Sequence, residues 1–151
     1  MRQKQEEKEM VQYAKFTDEL ITGNALIDAQ HKELIDKIND LVRTCENGDG
    51  KVKAMKTLNY LDEYTEFHFT QEEALQEEIG YPGLEQHKVK HQEFVSAVKE
   101  LFEMLEEQEG PTDAFVAQVN KNVIEWFYNH IQGFDRSVAE YKNLKNNPEV
   151  Y

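Results

Sequence analysis

Thiols, prolines and glycines are scarce in this chain, and so are long apolar runs and positive charge. Each shortage removes a class of protein. The single cysteine, Cys45, has no partner for an intramolecular disulfide, and it cannot support a thiolate zinc site or an iron–sulfur cluster. Set beside Val42, Arg43 and Thr44 near a helix end, it reads as a structural thiol of a reducing compartment. No stretch approaches the roughly 20 apolar residues of a membrane-spanning helix. The mixed-charge residues 1–16 lack the apolar segment of a secretion signal, and the expectation is a cytoplasmic protein. Lys and Arg number 17 against 30 Asp and Glu, a formal net charge of −13. Such a chain lacks the basic clusters that neutralise phosphates, so no nucleic-acid partner is expected. Anionic membrane surfaces are disfavoured for the same reason. Alternating β-branched runs are missing too, which argues against a sheet.

What remains is helical periodicity. Turn residues gather at Asn47-Gly48-Asp49-Gly50, Gly80-Tyr81-Pro82-Gly83 and Gly110-Pro111-Thr112. Between them the pattern predicts helices over 25–45, 51–79, 84–108 and 112–143. The first carries an apolar stripe of Ile27, Leu34, Ile35, Ile38, Leu41 and Val42. The second has Met55, Leu58, Leu61, Tyr64, Phe67 and Leu75, and the third Phe94, Val95, Val98, Leu101, Phe102 and Leu105. The fourth runs through Phe115, Val116, Val119, Val123, Trp126, Phe127, Ile131, Phe134 and Val138. Steps of three and four put these residues on one face of each helix. Three short loops between four helices predict an all-α, up-down-up-down antiparallel four-helix bundle. The expected organisation is an N-terminal arm over 1–24, the bundle over 25–144 and a tail over 145–151. The pattern does not fix the course of the arm.

All five histidines, His31, His68, His87, His91 and His130, fall on these apolar stripes. One histidine on such a face is most often a satisfied core residue. Five spread over four helices are another matter, because burying each imidazole unpartnered costs about 1–3 kcal/mol. A shared metal ion removes that cost, and neutral imidazole is a good ligand for iron, zinc and copper. Glu72 follows His68 by four residues, and His91 follows His87 by four, so each pair shares a helical face. Asp135 follows His130 by five, about 140° round an ideal helix. A local widening of the helix, aided by Gly133, would bring those two together. Glu73, beside Glu72, reads as a solvated residue.

The runs Ile27-Asp28-Ala29-Gln30-His31, His68-Phe69-Thr70-Gln71-Glu72-Glu73, Tyr81-Pro82 with His87 and His91, and Trp126 with His130-Ile131 and Asp135 resemble the four helix motifs of the hemerythrin family. The resemblance covers about residues 16–141. It implies a non-haem di-iron centre with an oxo or hydroxo bridge. Glu72 and Asp135 would bridge the irons. His87, His91 and His130 would bind one of them, and His31 and His68 the other. These ligands and the bridge fill all but one position on two six-coordinate irons. The vacancy falls on the iron with two histidines, where dioxygen would bind reversibly. Leu34, Phe69, Gln76, Phe127 and Ile131 would line that pocket. The ferritin-like di-iron enzymes instead use Glu-x-x-His motifs, and here the only acid three residues before a histidine is Asp28.

Three residues depart from the family pattern: Phe16 in place of a tryptophan, Phe127 in place of a leucine and Gln76 in place of a methionine. At the pocket, Phe127 would narrow the space and Gln76 would add polarity or a hydrogen bond. The plain alternatives are a repacked apolar core at 127 and a solvent-facing amide at 76. The expected function is oxygen storage, delivery or sequestration without enzymatic turnover. The alternatives are a sensor of oxygen or nitric oxide acting through a partner, and a di-iron enzyme reducing peroxide or nitric oxide.

Overall fold

A computed structural model describes residues 12–146. The expected tail over 145–151 lies mostly outside that range, as does the first part of the arm. Helix α1 spans Ala25–Glu46, α2 Lys51–Ile79 and α3 Leu84–Glu107. The fourth helix, α4, is a continuous run of Asp113–Val119, Asn120–Glu125, Trp126–His130, Ile131–Asp135 and Arg136–Asn146. Its second and fourth pieces are π-helical. No strand occurs among the described residues, and none of their helices is long and apolar enough to cross a membrane.

The helix ends are set by local chemistry. Asn24 caps α1, its Oδ1 accepting from the backbone N–H of Leu26 and Ile27 at 3.1 and 3.2 Å. Thr112 caps α4 through Phe115 N at 3.1 Å. At the end of α2, Gly80 adopts φ 68°, a left-handed conformation that glycine takes without a Cβ penalty. Tyr81 N then closes the helix by donating to Gln76 O at 2.8 Å.

Antiparallel order follows from where the loops meet. Lys51 N donates to Glu109 O at 3.0 Å, so the α1–α2 and α3–α4 loops share one end of the bundle. At the other end Tyr141 Oη donates to Gly80 O at 3.3 Å, which ties the end of α4 to the α2–α3 loop. The half near residues 47–50 is an apolar core containing Ile38, Leu41, Leu58, Leu61, Leu101, Leu105 and Phe115, all at most 1% exposed.

The stripes inferred from the sequence are buried or half-buried with two exceptions. Phe67 and Val95 are 49% and 43% exposed, so both stand off the core face. The arm, whose course the pattern left open, docks on the bundle. Ala14 exchanges two hydrogen bonds with the Asn39 side chain, at 2.8 and 3.0 Å, and Lys15 N donates to Tyr128 Oη at 2.8 Å. Leu20, in the short 3-10 helix Asp18–Leu20, is 1% exposed. Phe16 packs against the core with Lys32 over its ring. Asp28 turns toward the arm and accepts from Thr22 N and Oγ1 at 2.9 and 2.7 Å.

Candidate metal centre

Antiparallel packing puts one level of the bundle early in α1 and α3 and late in α2 and α4. His31, His68, Glu72, His87, His91, His130 and Asp135 all lie at that level, each at most 3% exposed. Asp135 gets there through the π turn Ile131–Asp135. Hydrogen bonding of the i→i+5 kind brings residues five apart nearly into line, and Asp135 Oδ1 stands 3.1 Å from His130 Nε2. A Cβ on Gly133 would meet nothing within 4 Å, so the turn does not depend on glycine for space.

The seven side chains form two donor groups that share their carboxylates. Glu72, His87, His91, His130 and Asp135 make one; His31, His68, Glu72 and Asp135 make the other. Asp135 reaches both, with Oδ2 2.9 Å from His31 Nε2 and Oδ1 3.0 Å from His87 Nε2. Glu72 Oε1 lies 3.4 Å from His68 Nε2 and 3.2 Å from His91 Nε2.

Several of these atoms are buried without a hydrogen-bond partner: Nε2 of His31, His68 and His91, Glu72 Oε1 and both Asp135 oxygens. Each would cost about 1–3 kcal/mol if left so. A cation among them satisfies them together, and the donor set of imidazoles and carboxylates suits a transition metal. The electrostatics agree. Burial pushes His68 down to about 3, with His31 acting in the same direction, and pushes His91 down to about 2, with His87 beside it. Both rings are therefore neutral near pH 7, the form that ligates metal. Burial holds the Glu72 carboxyl well above the usual carboxylate range, and the charge of Asp135 adds to it. Burial also acts upward on Asp135, but His130, with His31 and His87, outweighs it and the net shift is downward. Two carboxylates in one dry site resist joint ionisation unless a cation lies between them.

A second layer of side chains holds the rings. Gln30 Oε1 is 2.7 Å from His68 Nδ1, Glu73 Oε2 is 2.7 Å from His91 Nδ1, and Gln76 Nε2 is 2.9 Å from His87 Nδ1. Glu73 is thus not merely a solvated residue, because its carboxylate orients a histidine of the cluster. Nor is Gln76 a solvent-facing amide, being 0% exposed. Grouped with the pocket residues in the sequence, it meets an imidazole of the three-histidine group. Gln30 and Gln76 continue the apolar stripes of α1 and α2, a polar-on-apolar signal like that of the histidines. Glu73 carries no such signal, since it sits next to Glu72 rather than a turn away. Aromatic rings complete the wall. Phe69 stacks on His91 at 3.7 Å, Trp126 on His130 at 4.5 Å, and Phe127 meets His31 edge-to-face at 5.6 Å. Leu34 and Ile131 are buried at 2% and 0%.

Fold and site together define an all-α bundle with a buried imidazole–carboxylate cluster that could hold metal. Residues 22–140 match the family model "Hemerythrin HHE cation binding domain". The chain belongs to the hemerythrin family. It is 30% identical over 125 residues to a bacteriohemerythrin of Stenotrophomonas maltophilia, covering 83% of this chain and 78% of that one. To a bacteriohemerythrin of Clostridium acetobutylicum it is 31% identical over 128 residues, 83% of this chain and 98% of that one. The crystal structure of a wild-type hemerythrin superposes with a TM-score of 0.73 at 26% identity, over 85% of this chain and 97% of that one.

Proposed function

We propose that this chain holds two iron ions bridged by Glu72, Asp135 and an oxo or hydroxo group, and that it binds dioxygen reversibly beside His31 and His68. The observation that carries this reading is the inequality of the two donor groups. They share both carboxylates, but one has three imidazoles and the other two. Iron held by these residues would supply electrons to a small ligand bound beside the two-histidine group. The protein's own contribution is to position and to exclude. Gln30 fixes the His68 ring from its outer nitrogen. The Phe127 ring, edge-to-face with His31, puts an apolar group on the two-histidine side, and buried Leu34 and Ile131 would extend that wall. Asp28, the one acid spaced like an enzymatic Glu-x-x-His carboxylate, is engaged with Thr22 and adds nothing to the centre. Imidazole richness with few carboxylates supports reversible binding over oxidation of a substrate.

Iron analysis after anaerobic reconstitution tests the assignment. The wild-type chain should retain about two irons. Asp135→Ala, which removes the carboxylate that reaches both groups, should retain fewer. One iron in the wild type, or an unchanged content in the variant, would count against a shared-carboxylate centre.

A further inference from the structure

Gln76 lies on α2 one turn beyond Glu72 and two beyond His68, in the last turn of the helix. The closure at Gly80 fixes that turn, because Tyr81 N donates to the backbone oxygen of Gln76 itself. The side chain is fully buried, and its amide faces His87 Nδ1 at 2.9 Å. The other nitrogen of that ring, Nε2, faces the centre of the cluster, 2.9 Å from His130 Nε2 and 3.0 Å from Asp135 Oδ1. A neutral imidazole has one N–H and one lone pair, so its two nitrogens cannot play the same part.

With Gln76 Nε2 toward the ring, Nδ1 accepts from the amide and Nε2 carries the proton, which it directs at His130 Nε2. That arrangement suits the cluster without metal. It leaves Gln76 Oε1 buried and without a partner. For His87 to offer its Nε2 lone pair to a cation, the proton must sit on Nδ1, and Nδ1 then needs an acceptor. A half-turn of the same amide supplies one, Oε1. From this we infer that Gln76 is a positioning residue that serves both tautomers of His87, its amide reversing when the ring changes from metal-free donor to metal ligand. A side chain that can only accept, or only weakly accept, would serve one state. This inference rests on the metal-binding reading above.

The test uses the full chain, stripped of metal and titrated with zinc alone. The ring nitrogens of His87 are followed by NMR in 15N-labelled protein. In the wild type His87 should be protonated on Nε2 without metal and on Nδ1 with zinc bound. Gln76→Leu should weaken zinc binding at one step by about 10–100-fold, the usual effect of losing an outer partner of a ligating histidine. The other step should stay within about twofold. Gln76→Glu, an acceptor at the same place, should restore the zinc-bound affinity and hold the ring in the Nδ1–H tautomer even without metal. An unchanged tautomer on zinc binding in the wild type would overturn the inference and leave the metal centre standing. So would a Gln76→Glu variant as weak as Gln76→Leu. A wild-type chain that binds no zinc and no iron would overturn both.

Discussion

Phe127 meets His31 edge-to-face, 5.6 Å between centroids, on the side of the cluster that has only two imidazoles. Its bulk there is larger than the leucine suggested by the family resemblance. Replacing it with leucine should open that wall and change the dioxygen off-rate, the rate of oxidation to the ferric form, or both. Stopped-flow release and the decay of the oxygenated spectrum are the readouts, and unchanged values for both would discard a role for Phe127. Cys45 gives a second expectation at this scale. Burial pushes its thiol up to about 11. Thiolate is the reactive form, so iodoacetamide should label Cys45 far more slowly at pH 8 than a free thiol, with the rate rising until about pH 11. Labelling as fast as a free thiol would contradict its partial burial. The members of the buried cluster were legible in the sequence because a charged or imidazole group on an apolar stripe is costly unless partnered. Glu73 was not legible, because whether a carboxylate reaches a ring on the next helix depends on interhelical geometry that no single-helix pattern contains.

The helices themselves were legible to within a few residues, because glycine, proline or a capping side chain marks their ends. Replacing Gly80 with alanine tests one of them. The new Cβ would meet only Lys145 Nζ at 3.5 Å, so the effect should be conformational, about 1–2 kcal/mol for a non-glycine residue in the left-handed region. Urea denaturation of the metal-free chain measures it. Asn24→Ala should cost about 1 kcal/mol by removing the acceptor for Leu26 and Ile27. The fourth helix shows what periodicity hides. The turn Ile131–Asp135 was anticipated only because Asp135 sat one residue too far from His130 for an ordinary helix. The π stretch Asn120–Glu125 had no such marker, and the 3.6-residue stripe runs through it without visible interruption. The arm was unreadable for a different reason. Its hold on the bundle comes from backbone and side-chain hydrogen bonds to Asn39, Tyr128 and Arg136, which have no periodicity.

For the molecule as a whole, the buried site makes stability depend on pH when metal is absent. His68 and His91 have folded-state values near 3 and 2, below the usual 6.5. Below pH 6.5 the unfolded chain therefore binds protons that the folded chain refuses, and stability falls as pH falls. Glu72 works the other way: its raised value means stability is lost as pH rises above about 4.5. Two histidines outweigh one carboxylate, so between pH 6 and 5 the metal-free chain should lose about 1 kcal/mol per pH unit. Chemical denaturation across that range reads the slope, and a flat or opposite slope would contradict the burial of neutral rings. Bound metal should raise stability at every pH at which the histidines remain ligated. The most direct test of reversible dioxygen binding is spectroscopic. The iron-loaded chain is reduced, its visible spectrum recorded without air, then with air, then after deoxygenation, over repeated cycles. A charge-transfer band should appear with dioxygen and disappear on its removal, at about two irons per chain. Iron that oxidises at once and does not return, or turnover of dioxygen whenever a reductant is supplied, would contradict it.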